Sequence, residues 1–197
     1  MSAARDALLD RCVEAVRRTG FTHLSLREIA AAAGTSHRML IYHFGSREGL
    51  LAEVVARLEA EQRALLADLL TGDGSIVAVS RAFWARVTSP ELLPAQRLFF
   101  EVYVQALYGR EWTEPFRASV IRAWEAPLAD LFARAGVTDP ERARTHARLG
   151  LAVTRGLGLD LLLTGERERV EAAAELYGHL LATGEDAGAE QAADEVE

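Results

Sequence analysis

The chain has 197 residues, half of them hydrophobic and 26% charged, with a formal net charge of −7; this is the composition of a globular protein, not of a disordered or fibrous one. No apolar run approaches the ~18 residues of a membrane-spanning helix, and no N-terminal stretch joins a basic start to an apolar middle and a small-residue cleavage site. A cytoplasmic protein with no membrane partner is expected, large enough to fold without a disulfide, metal or cofactor.

In chain order, Leu8, Leu9, Cys12, Val13 and Val16 form one apolar stripe and predict a first helix over 4–18 that ends at Thr19-Gly20. Cys12, the single cysteine, is therefore read as a small core residue. Ser25 followed by Glu28 is a capping-box pattern opening a second helix, backed by Leu26, Ile29, Ala30 and Ala33 and stopping near Gly34. Thr35 or Ser36 caps a third helix running to about His43, and Gly45 breaks it. Ser46 then caps a long fourth helix whose stripe runs from Leu50 and Leu51 to Leu69.

Thr71-Gly72-Asp73-Gly74-Ser75 is a break, after which Ile76, Val79, Phe83, Trp84 and Val87 restart a helical stripe. Further helices are expected over 91–108, over 113–135 with a bend or break near Pro127, over 140–163 behind the helix-starting Asp139-Pro140, and over 166–182. From Gly184 onward six acids and no basic residue accompany only short or isolated apolar side chains, too few to offset the entropy of ordering. The expected fold is all-α: a helix-turn-helix domain over 1–50, a larger helical domain over 51–183, and an acidic disordered tail over 184–197.

The net negative charge argues at first against nucleic acid, but the charge is unevenly spread. Residues 1–50 hold seven arginines against five acids, with His23, His37 and His43, whereas residues 51–197 hold fifteen arginines against twenty-four acids. Two short helices joined by Ala33-Gly34-Thr35 meet the needs of a helix-turn-helix, since small residues let the helices pack at a steep angle. The second helix of such a unit enters the major groove with its N-terminal residues nearest the bases. Here those are Ser36, His37, Arg38 and Met39. Arg38 either pairs with guanine O6 and N7 or adds a backbone contact; His37 touches a base edge or a phosphate, and Ser36 binds phosphate while capping the helix.

The run TGFTHLSLREIAAAAGTSHRMLIYHFGSREGLL, residues 19–51, resembles the DNA-binding region of the tetracycline-repressor (TetR) family. Ser25-Leu26, Ala33-Gly34, Ser36, Leu40, Tyr42, His43-Phe44 and Arg47 carry the likeness. It implies that Tyr42 presses on a phosphate or a thymine methyl, that Arg47 and the start of the fourth helix hold phosphate, and that Leu40 and Phe44 are core. The candidate DNA-contacting set is Ser25, Arg27, Ser36, His37, Arg38, Met39, Tyr42, His43 and Arg47, with His43 secondary because a buried position suits it better. Arg38 stands where most members have glycine and Ile41 where they commonly have tyrosine, so an operator cannot be transferred from relatives.

Beyond residue 70 the resemblance implies a helical bundle that dimerises and encloses an effector pocket. Eleven of the fourteen aromatic residues follow residue 80. Phe83, Trp84, Phe99, Tyr103, Trp112, Phe116, Trp124 and His146 are the candidates for lining the pocket, the alternative being that they fill the core; Gln105 is a further polar candidate. His146 and His179 lack neighbours at metal-ligand spacing. The run 149–153, with Gly156-Leu157-Gly158-Leu159 and Leu161–Leu163, is too apolar to face water on every side, so a partner surface or a fully buried helix is needed; a homodimer through the last two helices is expected. The expected partners are a palindromic double-stranded DNA operator and a small-molecule effector whose binding releases the DNA. An enzyme is not expected, as no nucleophile motif or phosphate-binding loop is present.

Overall fold

The computed structural model describes residues 3–19, 24–72 and 74–194, with side chains as far as Leu181. In chain order the helices are α1 (Ala3–Thr19), α2 (Leu26–Ala32), α3 (His37–Phe44), α4 (Arg47–Leu69), α5 (Ile76–Val87) and α6 (Leu93–Leu107). A 3-10 turn (Glu111–Thr113) leads into α7 (Glu114–Ser119), α8 (Arg122–Arg134), α9 (Pro140–Thr164) and α10 (Arg167–Asp194). Every regular element among the described residues is thus helical, and none of those helices is long and apolar enough to cross a membrane. Gly20, expected to end the first helix, His23, and Asp73, in the expected break, lie outside the described residues.

The helices group into two compact units, one built from Met1–Gln62 with Ser89–Val120, the other from Arg63–Thr88 with Ile121–Glu197. In the first, α1 buries Leu8, Leu9, Cys12, Val13, Ala15 and Val16, the stripe read from the sequence. Burial pushes the Cys12 thiol up to about 11, as its fully buried position requires. Around α1 pack α2, through Leu26, Ile29 and Ala30, and α6, through Ala95, Leu98, Phe99 and Val102. The grouping of α6 and α7 with the N-terminal helices is not visible in chain order, because it depends on α1 meeting α6 across some eighty residues of sequence.

In the second unit Leu66, Leu70, Ile76, Val79, Trp124, Leu131, Phe132, Ala143, Ala147, Leu151 and Leu181 form one core. The small residues Ala143 and Ala147 recur one turn apart on α9 and let α8 approach closely. Helices α5 and α10 lie side by side: Arg167 donates to the Thr88 carbonyl at 3.0 Å, and Val77 faces Gly178. Because the pairings 88–167 and 77–178 run in opposite senses, the two helices are antiparallel.

One expectation is corrected. The helix over 113–135 breaks at Val120–Ile121, between α7 and α8, and not near Pro127, which lies inside α8. Proline deletes only the one backbone bond to Ala123, and the buried neighbours Trp124 and Leu131 hold the helix through it. Helix α10 is the last element and runs to Asp194.

Candidate nucleic-acid interface

The helix-turn-helix is built by capping at both starts. Glu28 N–H donates to Ser25 Oγ at 3.3 Å while Ser25 N–H donates to Glu28 Oε2 at 2.7 Å, completing the box. These hydrogen bonds with Ser25 hold the Glu28 carboxyl below its ordinary value of 4.5. Gly34 takes φ +62°, a conformation L side chains rarely adopt, and so turns the chain between the helices. Ser36 then caps α3 by accepting from Met39 N–H at 3.2 Å.

Helix α3 is divided sharply between its two faces. Leu40 is fully buried and Phe44 is 7% exposed; each such side chain contributes ~1.5–3 kcal/mol on burial, enough to fix the helix by two anchors. The other face is left to solvent: His37, Arg38, Met39, Ile41 and Tyr42 are all exposed, Tyr42 at 78%. Ser25, Arg27 and Ser36 are exposed as well. His43 is half-buried, its ring 4.8 Å from that of Tyr42 and 6.3 Å from that of Phe44.

Arg47 stands apart from this set. Its Nε–H donates to the Leu24 carbonyl at 3.0 Å and its Nη2 lies 3.7 Å from Glu101 Oε1 on α6. The guanidinium thus has partners within the domain, where the resemblance implied a phosphate.

Most arginines of the N-terminal region behave similarly. Arg11 donates to the Ala33 carbonyl at 3.2 Å and Arg18 to the Ala32 carbonyl at 3.1 Å, so two α1 side chains cap the C-terminus of α2. Arg5 donates to the His43 carbonyl at 3.3 Å, pairs with Glu53 and lies over the Phe44 ring at 5.1 Å. Arg17 pairs with Glu61. Sequence reasoning missed this bracing role because each partner is far along the chain and several are backbone carbonyls. Arg27 and Arg38 remain exposed.

The residues expected to line an effector pocket divide between the two units. Phe99, Tyr103 and Phe116 form a cluster in the first, with ring separations of 5.6–6.0 Å, and Trp112 is half-buried in the same unit. Phe83 and Trp124 meet edge-to-face at 5.8 Å in the second, which also holds Trp84 and His146. The His146 ring lies 5.2 Å from Phe132. Tyr177 OH sits against Gly150, 3.3 Å from where a Cβ would stand, with the Phe132 ring 3.8 Å from that point.

Both Tyr177 Oη and His146 Nδ1 are buried without a hydrogen-bond partner among the described residues, as is Trp84 Nε1. A separate cleft of about 330 Å³, lined by Leu70, Ile76, Val77, Val79, Leu131 and Arg134 among others, contains none of the expected side chains. Tyr177 and Phe132 were not singled out from the sequence; a tyrosine within an alanine- and leucine-rich helix was the available signal.

Comparison with known proteins bears on both units. Residues 8–54 match the family model for bacterial regulatory proteins of the tetR family. No curated protein matches the chain. Among solved structures, a transcriptional regulator from Rhodococcus sp. Rha1 aligns with a TM-score of 0.73 at 21% identity, covering 92% of this chain and 97% of its own. The multidrug binding protein EbrR, complexed with imidazole, aligns at 0.61 and 24% identity, covering 91% of this chain and 90% of its own. The TetR family repressor AlkX from Dietzia sp. strain DQ12-45-1b aligns at 0.60 and 18% identity, covering 94% and 96%. At these identities the structural likeness is one of fold: an N-terminal helix-turn-helix followed by a helical C-terminal region.

Proposed function

We propose, from the premise that residues 8–54 are a TetR-family DNA-binding domain, that this chain is a dimeric, ligand-responsive transcriptional regulator, a repressor released from a palindromic operator by a small molecule. The observation that carries the reading is the two-faced recognition helix: Leu40 and Phe44 lock α3 into the domain while Arg38 and Tyr42, one turn apart, stand exposed. Arg38 and Tyr42 lead the DNA contacts, assisted by Ser25, Arg27, Ser36, His37 and Met39.

The dimer is supported by an apolar stripe that the fold leaves uncovered. On α9, Leu149, Leu159 and Leu163 are exposed at 51%, 49% and 83%; on α10, Leu176 and Leu180 are each exposed at 60%. At 100° per residue, Leu149, Ala152, Gly156, Leu159 and Leu163 fall within an arc of about 80°, the width of a helix–helix seam. A second copy presenting the same two helices covers it by two-fold symmetry. A palindromic operator read by two such helices on one face of DNA has half-sites about 34–36 Å apart, one turn of the duplex.

The effector reading rests on the orphaned polar atoms of the second unit. Tyr177 OH and His146 Nδ1, beside Phe132, offer hydrogen bonds to a ligand with an apolar body, of the kind a buried binding site uses for orientation. An effector acts by preferring one arrangement of the dimer over another; a tenfold loss of DNA affinity needs ~1.4 kcal/mol of that preference. The test is selection of tight binders from random duplex DNA by the wild-type chain and by Arg38→Ala/Tyr42→Ala. A palindromic motif enriched only by the wild type supports the regulator. Equal enrichment by the double variant removes α3 as the reading helix, and no enrichment by either points to a protein-binding adaptor.

A further inference from the structure

The recognition helix exposes more apolar surface than its anchoring needs. Met39 and Ile41 are 41% and 40% exposed and flank the face centred on Arg38 and Tyr42, each about 80° from its middle at 100° per residue. The anchoring falls to Leu40 and Phe44, which at 0% and 7% exposed already hold the helix. Two sizeable apolar side chains therefore stand in water on the one surface that the proposed function directs into a DNA groove.

The major groove offers one apolar feature at base edges, the C5-methyl group of thymine. We propose that Ile41 and Met39 read thymine C5-methyl groups on either side of Arg38, making thymine a required base of each operator half-site. The inference rests on the DNA-binding reading above and adds to it the bases that the two side chains select. Ile41 is the stricter reader, because its β-branched side chain is stiff at χ1 and presents one fixed shape. Met39, unbranched and adaptable, tolerates more variation in the position of its methyl partner. Helix α3 holds both in register through the Ser36 cap, whose hydroxyl accepts the Met39 N–H itself.

The test uses the duplex selected by the full-length wild-type chain, with each thymine replaced in turn by deoxyuridine, which removes the methyl group and leaves the pairing unchanged. At the position facing Ile41 the wild type loses about fourfold in affinity, the equivalent of one buried carbon at ~0.8 kcal/mol. Ile41→Ala binds the thymine duplex more weakly and shows no further loss with deoxyuridine at that position; Met39→Ala behaves likewise at its own. A wild type indifferent to every deoxyuridine overturns the proposal, as does a variant that keeps the full deoxyuridine penalty. Failure to select any duplex is a different result, because it removes the DNA-binding reading on which the proposal stands.

Discussion

The Arg47 guanidinium is held between the Leu24 carbonyl, 3.0 Å from its Nε, and Glu101 Oε1, 3.7 Å from its Nη2. It thereby links the start of α4 to the residue preceding the α2 cap and to α6. Both side chains of the ion pair are about three-quarters buried, at 27% and 25% exposed, and Glu101 Oε2 is buried with no partner among the described residues. At 3.7 Å the ion pair is longer than the 3.0 Å hydrogen bond to Leu24. Arg47→Ala is expected to cost about 1.5–3 kcal/mol in chemical denaturation, the range for a hydrogen bond to a charged group. Glu101→Gln is expected to cost under ~1 kcal/mol. The dependence of log affinity on log salt should be unchanged in Arg47→Ala; a decrease of ~0.9 in slope would mean that Arg47 neutralises a phosphate after all.

The capping serines position the recognition helix as well as stabilise it. Ser36→Ala leaves the Met39 N–H without its side-chain acceptor and is expected to cost about 1 kcal/mol of stability. On the proposed function it also weakens DNA binding beyond that loss, since His37, Arg38 and Met39 directly follow this cap. Denaturation and DNA titration of the same preparation separate the two effects.

The α2 cap gives the domain an acid-sensitive component. Glu28 has its carboxyl lowered from 4.5 by the hydrogen bonds with Ser25, so the folded state favours the charged form. Its contribution is present above pH 4.5 and is lost as pH falls through the lowered value. Glu28→Gln should flatten the stability–pH curve below pH 4.5 relative to wild type, as followed by helical circular dichroism; an identical acid limb would remove this assignment.

Tyr177 is expected to behave unlike an ordinary buried tyrosine. Its hydroxyl has no partner among the described residues, so Tyr177→Phe should leave thermal stability unchanged or raised while weakening any effector that uses the hydroxyl. Burial raises the phenol above its ordinary value of 10.0. The neutral form is thus favoured on folding, and stability falls as pH rises above 10 because the unfolded chain ionises first. The phenylalanine variant loses that alkaline component; a clear loss of stability at neutral pH would instead place an important hydrogen bond on the hydroxyl.

The exposed leucines on α9 and α10 predict where the dimer fails. Leu163→Glu with Leu180→Glu places charges on side chains that are 83% and 60% exposed, so helical content should be preserved. Sedimentation should show a monomer at concentrations where the wild type is a dimer, and operator affinity should fall at least tenfold. A double variant that remains dimeric excludes this face.

The parts of the fold that local patterns control were legible in the sequence. The α1 stripe ending at Val16, the Ser25–Glu28 box, the Ser36 cap and the break at Gly45 each depend on residues within a turn or two of one another. The exposed face of α3 was readable for the same reason. The inward attachments of Arg5, Arg11, Arg18 and Arg47 were not, because their partners are distant and mostly backbone carbonyls. Counting arginines therefore does not tell which guanidiniums are engaged within the chain and which, like Arg27 and Arg38, are exposed. Pro127 drew the expected break to itself, while the actual one at Val120–Ile121 carries no proline or glycine to mark it. Nor could aromatic residues be sorted into lining and core from composition, since Phe99 and Trp124 lie in different units.

The proposed function stands or falls on whether Arg38 and Tyr42, on the exposed face of α3, read DNA as part of a dimer. The most direct measurement is a titration of the selected duplex with the full-length chain and with Arg38→Ala/Tyr42→Ala, at two salt concentrations and with the stoichiometry determined. The expected result is two chains per duplex, an affinity that falls steeply with salt, and about a hundredfold loss in the double variant with its dimer intact, given ~1–3 kcal/mol for each of the two side chains removed. A double variant that binds the duplex as tightly as the wild type would contradict it.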